Sequence, residues 1–421
     1  MPMKSVIVNK PEQKEIRVDI DLPASKSLSN RLLLIEALAQ KQKKQSGYTF
    51  RNLSTANDTL VMQRLLQEAK EGAILDVEDA GTVMRFMTAY CAVNNLPVIL
   101  TGTYRMQERP IGDLVDALNQ LGAQIEYVKR PGYPPIKIRG FVQRYPKVTI
   151  PGGVSSQFLS ALLMVAPTLP HGLEINIDGF LRSRSYVEMT VGLMEYFGVK
   201  VVWEGNRIKV EAQEYQLRDY TVEPDWSAAG YWYSIAALAP FAHITLNALT
   251  ENSLQGDKRL VEWMRPMGVY TTFTPQGAVL TKTDEAREVE FDFTDNPDLA
   301  QTFIALAAAK GIEMEAYGLE SLRLKETDRI RALQNELMTL GYWLDEKHNG
   351  EWKLVRVSKR NADKIPAFDT YKDHRMAMAF APLALKLGKV KINDPEVVKK
   401  SYPHFWEDLK KAGFGLEFTN Q

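Results

Sequence analysis

The sequence has few of the residues that build disulfides, metal sites and membrane spans. A single cysteine, Cys91, excludes an intramolecular disulfide and any site built from several cysteines. The five histidines are scattered, without the spacing of a metal site. No apolar run reaches the roughly 18 residues that a membrane-spanning helix requires, and residues 1–21 contain no apolar core of signal-peptide length. These absences predict a soluble, cytosolic protein without a structural metal.

The chain also has no surplus of charge of either sign. Lys and Arg together number 52, as do Asp and Glu, so the net charge is zero and the pI is about 7. Proteins that bind nucleic acid usually present a basic face, so a neutral chain disfavours nucleic acid as a partner. No phosphate-binding loop of the Gly-x-x-x-x-Gly-Lys-Ser/Thr form occurs, which disfavours nucleotide hydrolysis of that type.

What the sequence does contain is an internal repeat. A helical pattern that ends in glycine and leads into a strand recurs at intervals of 50, 76, 70, 73 and 72 residues, near Gly72, Gly122, Gly198, Gly268, Gly341 and Gly413. Hairpins are predicted from Val199–Trp203 with Arg207–Val210 and from Val269–Phe273 with Ala278–Leu280. Six such units predict an α/β protein with mixed sheets, in two similar halves that divide near residue 225 and leave a cleft between them.

A dense group of charges, residues 321–330, precedes a predicted helix. Ile330, Leu333, Leu337 and Leu340 have helical spacing, and Gly341 is expected to end that helix. Free backbone donors and the helix dipole favour an anion at a helix N-terminus, which makes Lys325–Arg329 a candidate anion site. The carboxylates mixed with these cations could also move a proton. The alternative interpretation is a solvated, charged first turn.

Similar junctions between loop and helix recur along the chain, with hydroxyl, amide, glycine or acidic residues beside a cation. One begins at Ser25, a predicted N-cap, and others precede the helices predicted at Leu114–Leu121, Phe158–Val165 and Leu299–Ala309. In a neutral chain, eight cations at such junctions predict an electropositive cleft for small polyanions. They are Lys26, Arg31, Arg85, Arg109, Lys325, Arg329, Arg375 and Lys400. The alternative interpretation of these junctions is capped helices with solvated charges. Asp298 likewise is either an acid at the start of a helix or a catalytic carboxylate.

Taken together, these segments resemble the EPSP synthase family of 3-phosphoshikimate 1-carboxyvinyltransferases. They follow the family's order over nearly the whole chain: Ser25–Arg31, Ala80–Arg85, Arg105–Gly112, Val154–Phe158, Glu223–Ser227, Pro297-Asp298, Lys325–Arg329, Asp373–Met378 and Lys400–Pro403. The resemblance implies an inside-out α/β barrel fold, with two similar domains of three repeated α/β units and an active site in the inter-domain cleft. Residues 1–21 and 225–421 would form one domain and residues 22–224 the other. We expect a monomer.

The resemblance also implies a reaction, in which the enolpyruvyl group of phosphoenolpyruvate is transferred to the 5-hydroxyl of shikimate-3-phosphate and phosphate is released. No metal or organic cofactor is implied, and the phosphoenolpyruvate subsite would also bind the herbicide glyphosate. The residues implied for shikimate-3-phosphate are Lys26, Ser27, Arg31, Ser155, Ser156, Gln157, Ser183, Tyr186, Asp298, Ser321 and Lys325. Those implied for phosphoenolpyruvate are Lys26, Gly81, Arg109, Gln157, Glu326, Arg329, His374, Arg375 and Lys400. Asp298 and Glu326 would transfer protons, assisted by Lys26.

Three positions depart from the family pattern, and two other functions stay open. Asp79 and Ser321 stand where the family usually has asparagine, and Phe86 where it usually has proline. One alternative is a UDP-N-acetylglucosamine enolpyruvyl transferase, a family that typically carries a reactive cysteine in a glycine-rich loop. Cys91 instead lies in an apolar, helical segment. The other is a non-catalytic anion-binding module, which would gain nothing from Asp298 and Glu326.

Overall fold

The structure is a computed structural model, which describes residues 3–153, 155–347, 350–360 and 363–420. The α-helices are α1 (Lys26–Gln42), α2 (Asn57–Glu68), α3 (Gly81–Val93), α4 (Tyr104–Gln107), α5 (Gly112–Leu121), α6 (Ser156–Val165), α7 (Arg184–Tyr196), α8 (Trp226–Leu238), α9 (Leu260–Trp263), α10 (Ala300–Lys310), α11 (Arg329–Met338), α12 (His374–Phe380), α13 (Ala384–Leu387) and α14 (Phe405–Lys411). Short 3-10 helices cover Ala166–Thr168, Gly256–Arg259, Pro297–Leu299, Glu320–Leu324, Ala381–Leu383 and Pro395–Lys400. In these described ranges no helix has both the length and the apolar character needed to cross a membrane.

The strands are mostly short. They are β1 (Met3–Asn9), β2 (Glu15–Ile20), β3 (Phe50–Arg51), β4 (Ile74–Asp76), β5 (Ile99–Thr101), β6 (Ala123–Tyr127), β7 (Ile136–Phe141), β8 (Lys147–Pro151), β9 (Leu173–Asp178), β10 (Val201–Glu204), β11 (Arg207–Val210), β12 (Tyr220–Thr221), β13 (Phe241–Asn247), β14 (Val269–Phe273), β15 (Gly277–Lys282), β16 (Glu288–Asp292), β17 (Glu313–Tyr317), β18 (Tyr342–Glu346), β19 (Glu351–Arg356), β20 (Ala367–Phe368), β21 (Lys389–Asn393) and β22 (Gly415–Asn420).

The chain divides into two compact units. Unit 1 comprises Met1–Ala24 and Glu223–Gln421, and unit 2 comprises Ser25–Val222. Unit 1 is therefore discontinuous, because the chain leaves it after β2 and returns just before α8. Whether each unit folds as an independent domain, and whether the active site lies in a cleft between them, stay predictions.

The described sheets of unit 1 share one topology. In the sheet β16-β17-β19-β18, the first two strands are parallel and are connected through α10, because parallel neighbours need a crossover. The last two strands form a hairpin whose inner member pairs antiparallel with β17. The sheets β2-β13-β15-β14 and β20-β21-β1-β22 have the same order. In the sheet β20-β21-β1-β22, β1 comes from the start of the chain. It takes the place of the inner hairpin strand and pairs antiparallel with both β21 and β22.

Unit 2 contains the same arrangement in the sheets β4-β5-β7-β6 and β8-β9-β11-β10. Its remaining sheet is reduced to the short parallel pair of β3 and β12. The six-fold repeat read from the sequence therefore corresponds to five four-stranded mixed sheets and one pair within the described residues. Both predicted hairpins are present, as β10 with β11 and as β14 with β15.

All six repeat glycines adopt positive φ angles, from 80° to 120°. L-residues with a Cβ avoid this region, so glycine ends the preceding helix and turns the chain towards the next strand. At Gly122, Gly198, Gly268, Gly341 and Gly413 that strand belongs to a hairpin-like pair of the sheet. Gly72 differs, because it leads into β4, the first strand of its sheet and not a member of a hairpin.

The core of unit 1 is built from helices, with the sheets outside them. Helices α8 and α10 are apolar on nearly all sides and are buried along almost their whole length, as is α12. A helix that is apolar all round belongs in an interior. The sheets instead alternate, as in β16 and β17, with one face buried and the other exposed. An acidic residue stands at or just before the start of each of these helices: Asp225, Asp298 and Asp373.

Candidate active site

The residues predicted to bind substrates fall into two groups, one in each unit. In unit 2 they lie at the starts of α1, α3, α6 and α7 and in the loop before α5. In unit 1 they lie at the starts of α11 and α12, in the loop before α11, and in three 3-10 helices, one of which leads into α10. The predicted segment Val154–Phe158 begins at Val154, which is outside the described residues.

The Arg31 guanidinium joins three helices of unit 2. Arg31 lies in α1 and is 2% exposed. Its Nε donates to Thr190 Oγ1 on α7 (2.7 Å), and its Nη2 donates to Ser160 Oγ on α6 (3.1 Å). Its Nη1 donates to the carbonyl of Ser27 at 3.0 Å. Burial lowers the pKa of Arg31 to about 10, an effect that the electrostatic influence of Tyr186 offsets only in part. A buried cation of this kind favours an anion nearby.

Lys26 is the first residue of α1, and its ammonium group is held by an acid on α2. Lys26 Nζ donates to Asp58 Oδ2 at 2.9 Å, and Asp58 is buried. The predicted N-cap is confirmed, because Ser25 Oγ accepts from the Leu28 backbone N–H at 3.4 Å. The cap fixes where the helix begins, and the ion pair fixes where the ammonium group lies.

Arg109 lies directly over Gly81, the first residue of α3. A methyl group added to Gly81 would lie 2.5 Å from Arg109 Nη2, so the guanidinium occupies the space that a side chain would fill. Gln157 at the start of α6 donates from Nε2 to Thr82 Oγ1 on α3 at 3.2 Å. Ser155 caps α6, because its side chain accepts from the Gln157 backbone N–H. The starts of α3 and α6 are therefore adjacent, with Arg109 over one of them.

Ser183 and Tyr186, both implied for shikimate-3-phosphate, lie at the start of α7. Ser183 is the N-cap and has a φ of 54°, in the left-handed region, and the Tyr186 N–H donates to its carbonyl at 3.1 Å. The Tyr186 carbonyl accepts from Arg31 Nη2 at 3.2 Å, which connects this start to α1. Ser156, the first residue of α6, is buried.

Arg85 has a different place from the one expected of it. It was counted among the cations of the electropositive site, but it is buried within the packing of α3. Its Nη2 donates to the Pro110 carbonyl (2.7 Å), its Nη1 donates to the Gly81 carbonyl (3.2 Å), and its guanidinium lies 5.8 Å from the Phe158 ring. Arg85 therefore fixes the two segments that carry Gly81 and Arg109.

In unit 1, Arg329 is the centre of a network of charges. It is 1% exposed and bonds three carboxylates. Its Nε donates to Asp373 Oδ2 (2.7 Å), its Nη1 donates to Asp298 Oδ1 (3.0 Å), and its Nη2 donates to Glu326 Oε2 (2.9 Å). Although burial alone would lower the pKa of Arg329, the charges of Asp373, Glu326 and Asp298 raise it above the ordinary value. The guanidinium is thus fixed in place and permanently charged.

Asp298 lies between two guanidinium groups. Its Oδ2 pairs with Arg375 Nη2 at 2.8 Å, and Arg375 Nη1 also donates to the Asp298 carbonyl at 3.2 Å. Burial alone would raise the pKa of Asp298, but the positive charges of Arg375, Lys325 and Arg329 outweigh it and hold that pKa well below its usual range. The carboxylate is therefore ionised at neutral pH.

Residues 325–329 are placed differently from the prediction. Helix α11 begins only at Arg329, because the Asp328 side chain caps it by accepting from the Arg331 N–H at 3.0 Å. Lys325 and Glu326 lie in the loop before it, next to a 3-10 helix that contains Ser321. Lys400 Nζ lies 3.8 Å from Glu326 Oε1, so this loop also reaches a cation from the segment before α14.

Two departures from the family pattern have a structural account. The Asp79 carboxylate accepts a hydrogen bond from Thr103 Oγ1, which directs it to a neighbouring side chain. The ring of Phe86 is buried and lies 5.5 Å from the Arg31 guanidinium, in the range of a cation–π contact. Ser321 is half-buried, and nothing in the structure explains the departure there.

For some residues of the two groups, the contacts or the role were not predicted from the sequence. Asp58 and Asp373 lie 32 and 44 positions from the cations that they pair with, and no local pattern connects such residues. Tyr231 on α8, whose hydroxyl accepts from Arg375 Nη1 at 3.4 Å, reads as a core residue in its apolar helix. His374 was expected to bind phosphoenolpyruvate. Its side chain is only 1% exposed, and its Nδ1 lies 3.6 Å from Asp373 Oδ1.

Each group has a distinct chemical capacity. Unit 2 presents the starts of four helices together with Lys26, Arg31 and Arg109, which suits binding of phosphate and carboxylate. Unit 1 places the carboxylates Asp298 and Glu326 against permanently charged groups, which suits proton transfer beside an anion.

Comparison with known proteins agrees with this chemistry. The family model described as EPSP synthase (3-phosphoshikimate 1-carboxyvinyltransferase) matches residues 52–409. A 3-phosphoshikimate 1-carboxyvinyltransferase of Bacteroides fragilis is 46% identical over 407 residues, which cover 96% of this chain and 97% of that protein. One of Herminiimonas arsenicoxydans is 36% identical and covers 93% of this chain and 94% of its own length.

The fold has solved counterparts as well. A structure of EPSP synthase from Acinetobacter baumannii superposes with a TM-score of 0.77 over 99% of this chain and 100% of that chain, at 20% sequence identity. This likeness confirms the predicted mixed α/β fold. The extent of the family match and the identity to the Bacteroides relative together show that the chain belongs to the EPSP synthase (3-phosphoshikimate 1-carboxyvinyltransferase) family.

Proposed function

We infer that this chain is a 3-phosphoshikimate 1-carboxyvinyltransferase, with the activity classified as EC 2.5.1.19. It transfers the enolpyruvyl group of phosphoenolpyruvate to the 5-hydroxyl of shikimate-3-phosphate and releases phosphate, a step of aromatic amino acid biosynthesis. The observation that carries the residue assignments is the network at Arg329, in which two candidate proton-transfer carboxylates share one buried cation.

We assign the binding of shikimate-3-phosphate mainly to the helix starts of unit 2. Both substrates carry a phosphate and a carboxylate, so together they bring roughly six negative charges at neutral pH. Arg31 supports this assignment, because it is a buried cation whose hydrogen bonds go to neutral groups. The capped starts of α1 and α6 add backbone donors. Ser321, Lys325 and Asp298 of unit 1 complete the proposed set.

We assign phosphoenolpyruvate to Arg109, Arg329, Arg375 and Lys400, with Gly81 leaving room for the Arg109 guanidinium at the start of α3. Arginine suits this role because its planar fork binds carboxylate and phosphate through two hydrogen bonds. Arg329 and Arg375 are held by carboxylates, so an arriving anion meets groups already in position. Preorganised charges of this kind stabilise a transition state without rearranging during the reaction.

Asp298 is the proposed acceptor of the proton from the 5-hydroxyl, and Glu326 the proposed group on the methylene side. The hydroxyl attacks C2 of phosphoenolpyruvate while C3 gains a proton, which gives a tetrahedral intermediate. Loss of phosphate and of a C3 proton then yields the enolpyruvyl ether. Substrate anions compete with Asp298 for Arg329 and Arg375, so the pKa of Asp298 should rise on binding and make it a better base.

The related enolpyruvyl transferase that acts on UDP-N-acetylglucosamine is less well supported. That function would call for a reactive thiol, but Cys91 is fully buried, and burial raises its pKa to about 12. A thiol in such surroundings is inert at neutral pH. The non-catalytic alternative is disfavoured because Asp298 and Glu326 are fixed beside the cations that would bind the anions.

Phosphate release distinguishes these functions directly. The full chain should release phosphate from phosphoenolpyruvate with shikimate-3-phosphate and not with UDP-N-acetylglucosamine. Glu326→Gln should bind shikimate-3-phosphate but turn over far more slowly. Release with the nucleotide sugar, or none with either acceptor, would refute the proposal.

The remaining expectations are a monomer in the cytoplasm that binds no nucleic acid, and two domains close to the bounds read from the sequence. Net charge zero supports the absence of nucleic acid. Light scattering coupled to size-exclusion chromatography would test the oligomeric state.

A further inference from the structure

Asp257 is a buried carboxylate to which the reaction outlined above gives no role. It lies in the 3-10 helix Gly256–Arg259 of unit 1 and is 5% exposed. Its Oδ2 accepts a hydrogen bond from Ser227 Oγ on α8, and its Oδ1 accepts from Asn296 Nδ2 at 3.0 Å. Because it is buried and each oxygen already has a protein donor, Asp257 is suited to hold its partners and not to react with substrate.

Asn296 connects Asp257 to the segment that carries Asp298. Asn296 is buried and immediately precedes the 3-10 helix Pro297–Leu299. Its N–H donates to the Phe293 carbonyl at 3.1 Å, and its own carbonyl accepts from the Leu299 N–H at 3.1 Å. The backbone of Asn296 is therefore part of the turn, and its side chain is the group through which Asp257 orients that turn.

A second contact fixes the other side of Asp257. Gln255, two residues earlier, accepts the Trp226 N–H on its Oε1 at 3.0 Å, so the segment of Asp257 is bound to the first residues of α8. The connection therefore runs from the start of α8 through Asp257 and Asn296 to Asp298.

The two acids are close enough to influence each other. Burial and the charge of Asp298 raise the pKa of Asp257 to about 6, while hydrogen bonds from Ser227 and Asn296 and the charge of Arg375 lower it. A buried acid beside another acid is unfavourable for stability by itself. Such an arrangement is typical of a functional site, where geometry takes precedence over stability.

We propose that Asp257 is a positioning residue for the reaction. Through Asn296 it holds the turn that presents the Asp298 carboxylate between Arg329 and Arg375. The inference rests on the proposed function, because the position of Asp298 matters to turnover only if that carboxylate accepts the proton.

The test compares variants of the full chain for folding and for turnover. The variants are Asp257→Ala, Asn296→Ala, the double variant, and Asp257→Ala combined with Asp298→Asn. Asp408→Ala is the matched control, because Asp408 is an equally buried acid of unit 1 that accepts from Tyr402 Oη (2.9 Å) and Lys411 Nζ (2.7 Å). Thermal unfolding establishes that each protein is folded, and phosphate release at saturating substrates gives kcat.

Asp257→Ala and Asn296→Ala should each lower kcat about ten- to a hundredfold, because a displaced reactive group loses rate steeply. KM for both substrates should change by less than about threefold, and the double variant should be no slower than the slower single variant. In the Asp298→Asn background, Asp257→Ala should have no further effect on kcat. Asp257→Asn should retain most of kcat, because its carbonyl can accept from Asn296 while its amide donates to Ser227 Oγ. Asp408→Ala should unfold at a lower temperature and keep its kcat.

Three results would overturn the inference while leaving the proposed function intact. The first is an unchanged kcat in folded Asp257→Ala or Asn296→Ala. The second is multiplicative losses in the double variant. The third is a further fall in kcat when Asp257→Ala is added to Asp298→Asn, as large as the fall that Asp257→Ala causes alone. That result would show a general structural role. If Asp257→Ala does not fold, Asn296→Ala decides alone, since it removes the same hydrogen bond from the other end. An inactive wild-type protein would refute the proposed function, and this inference with it.

Discussion

Substitution of Gly81 by alanine tests the proposed phosphoenolpyruvate subsite at its tightest point. The added Cβ would lie 2.5 Å from Nη2, 2.7 Å from Cζ and 2.7 Å from Nη1 of Arg109. Ordinary contacts are roughly 3.5–4 Å, so the guanidinium must move by about 1 Å. These atoms are the end of a flexible side chain, and the Arg109 hydrogen bond to the Asp79 carbonyl is long, at 3.5 Å. The protein can therefore fold with the methyl group present, but with Arg109 displaced.

The displacement sets the size of the effect. A hydrogen bond to a charged group contributes about 1.5–3 kcal/mol. A displaced Arg109 guanidinium loses part of its hydrogen bonding to phosphoenolpyruvate. A loss of about 1.4 kcal/mol is tenfold in affinity. KM for phosphoenolpyruvate should therefore rise about tenfold in Gly81→Ala, and glyphosate inhibition should weaken at least as much. Affinity for shikimate-3-phosphate should barely change, because its proposed residues in unit 2 lie mainly on α1, α6 and α7.

Initial rates of phosphate release, with phosphoenolpyruvate varied at saturating shikimate-3-phosphate, measure this KM. Calorimetry gives the affinity for shikimate-3-phosphate. Gly140→Ala is the control, because its methyl group would meet Asn95 Oδ1 at an ordinary 3.6 Å. The same substitution at Gly81 in an Arg109→Ala protein should have little effect, since the group that it displaces is gone. An unchanged KM in Gly81→Ala, or an equal rise without Arg109, would refute the placement of the subsite.

Two further substitutions test individual carboxylates. Asp298→Asn keeps the shape of the side chain but cannot accept a proton, so kcat should fall by a factor of about 10² or more while affinity for shikimate-3-phosphate changes much less; lost affinity with kcat intact would make Asp298 a binding residue only. Asp79→Asn keeps an acceptor for Thr103 Oγ1 but removes a negative charge near the start of α3. KM for phosphoenolpyruvate should fall about two- to fivefold, more at low ionic strength, and an unchanged KM would show that Asp79 is too far from the anion to repel it.

The features that the sequence predicted well are those with local causes. A glycine at positive φ, such as Gly122 or Gly341, ends a helix whatever surrounds it, so the repeat was visible without any knowledge of contacts. Ser25 likewise caps α1 through a bond to a residue three positions away. The hairpin of β14 and β15 depends on a short turn and on alternation within each strand.

The features that were missed depend on distant parts of the chain. Strand β1 completes a sheet between β21 and β22, which lie near the other end of the sequence, and no local pattern shows that register. Asp373 was noted only as part of the segment Asp373–Met378, and its pairing with Arg329 was missed because that bond joins residues 44 positions apart. The start of α11 was misplaced for a different reason. Asp328 caps that helix, and aspartate is a residue type that favours the N-cap position. The charged residues around Asp328 made this one position hard to recognise.

The pairing of Asp298 also predicts how the stability of unit 1 depends on pH. Arg329 Nη1 and Arg375 Nη2 hold the carboxylate at 3.0 and 2.8 Å, and the folded pKa of Asp298 lies well below its unfolded value of about 3.9. A carboxyl group of this kind stabilises the fold above the unfolded pKa and loses that contribution as the pH falls through the folded pKa. Asp298→Asn turns an amide donor towards one of the guanidinium groups. It should therefore lower the free energy of unfolding by about 1–3 kcal/mol at neutral pH, and the deficit should shrink below about pH 4.

Urea unfolding of wild type and Asp298→Asn at neutral, mildly acidic and strongly acidic pH measures this difference, because the other carboxylates are common to both proteins and cancel. The two free energies should run parallel above about pH 5 and converge in acid. Equal free energies of unfolding at neutral pH would mean that the cost of burying the Asp298 charge equals the stabilisation from its two arginine partners. A deficit that grew on acidification would contradict the lowered pKa itself. It would require a carboxyl group that is protonated more readily in the folded protein than in the unfolded chain, which two guanidinium groups within 3.0 Å do not permit.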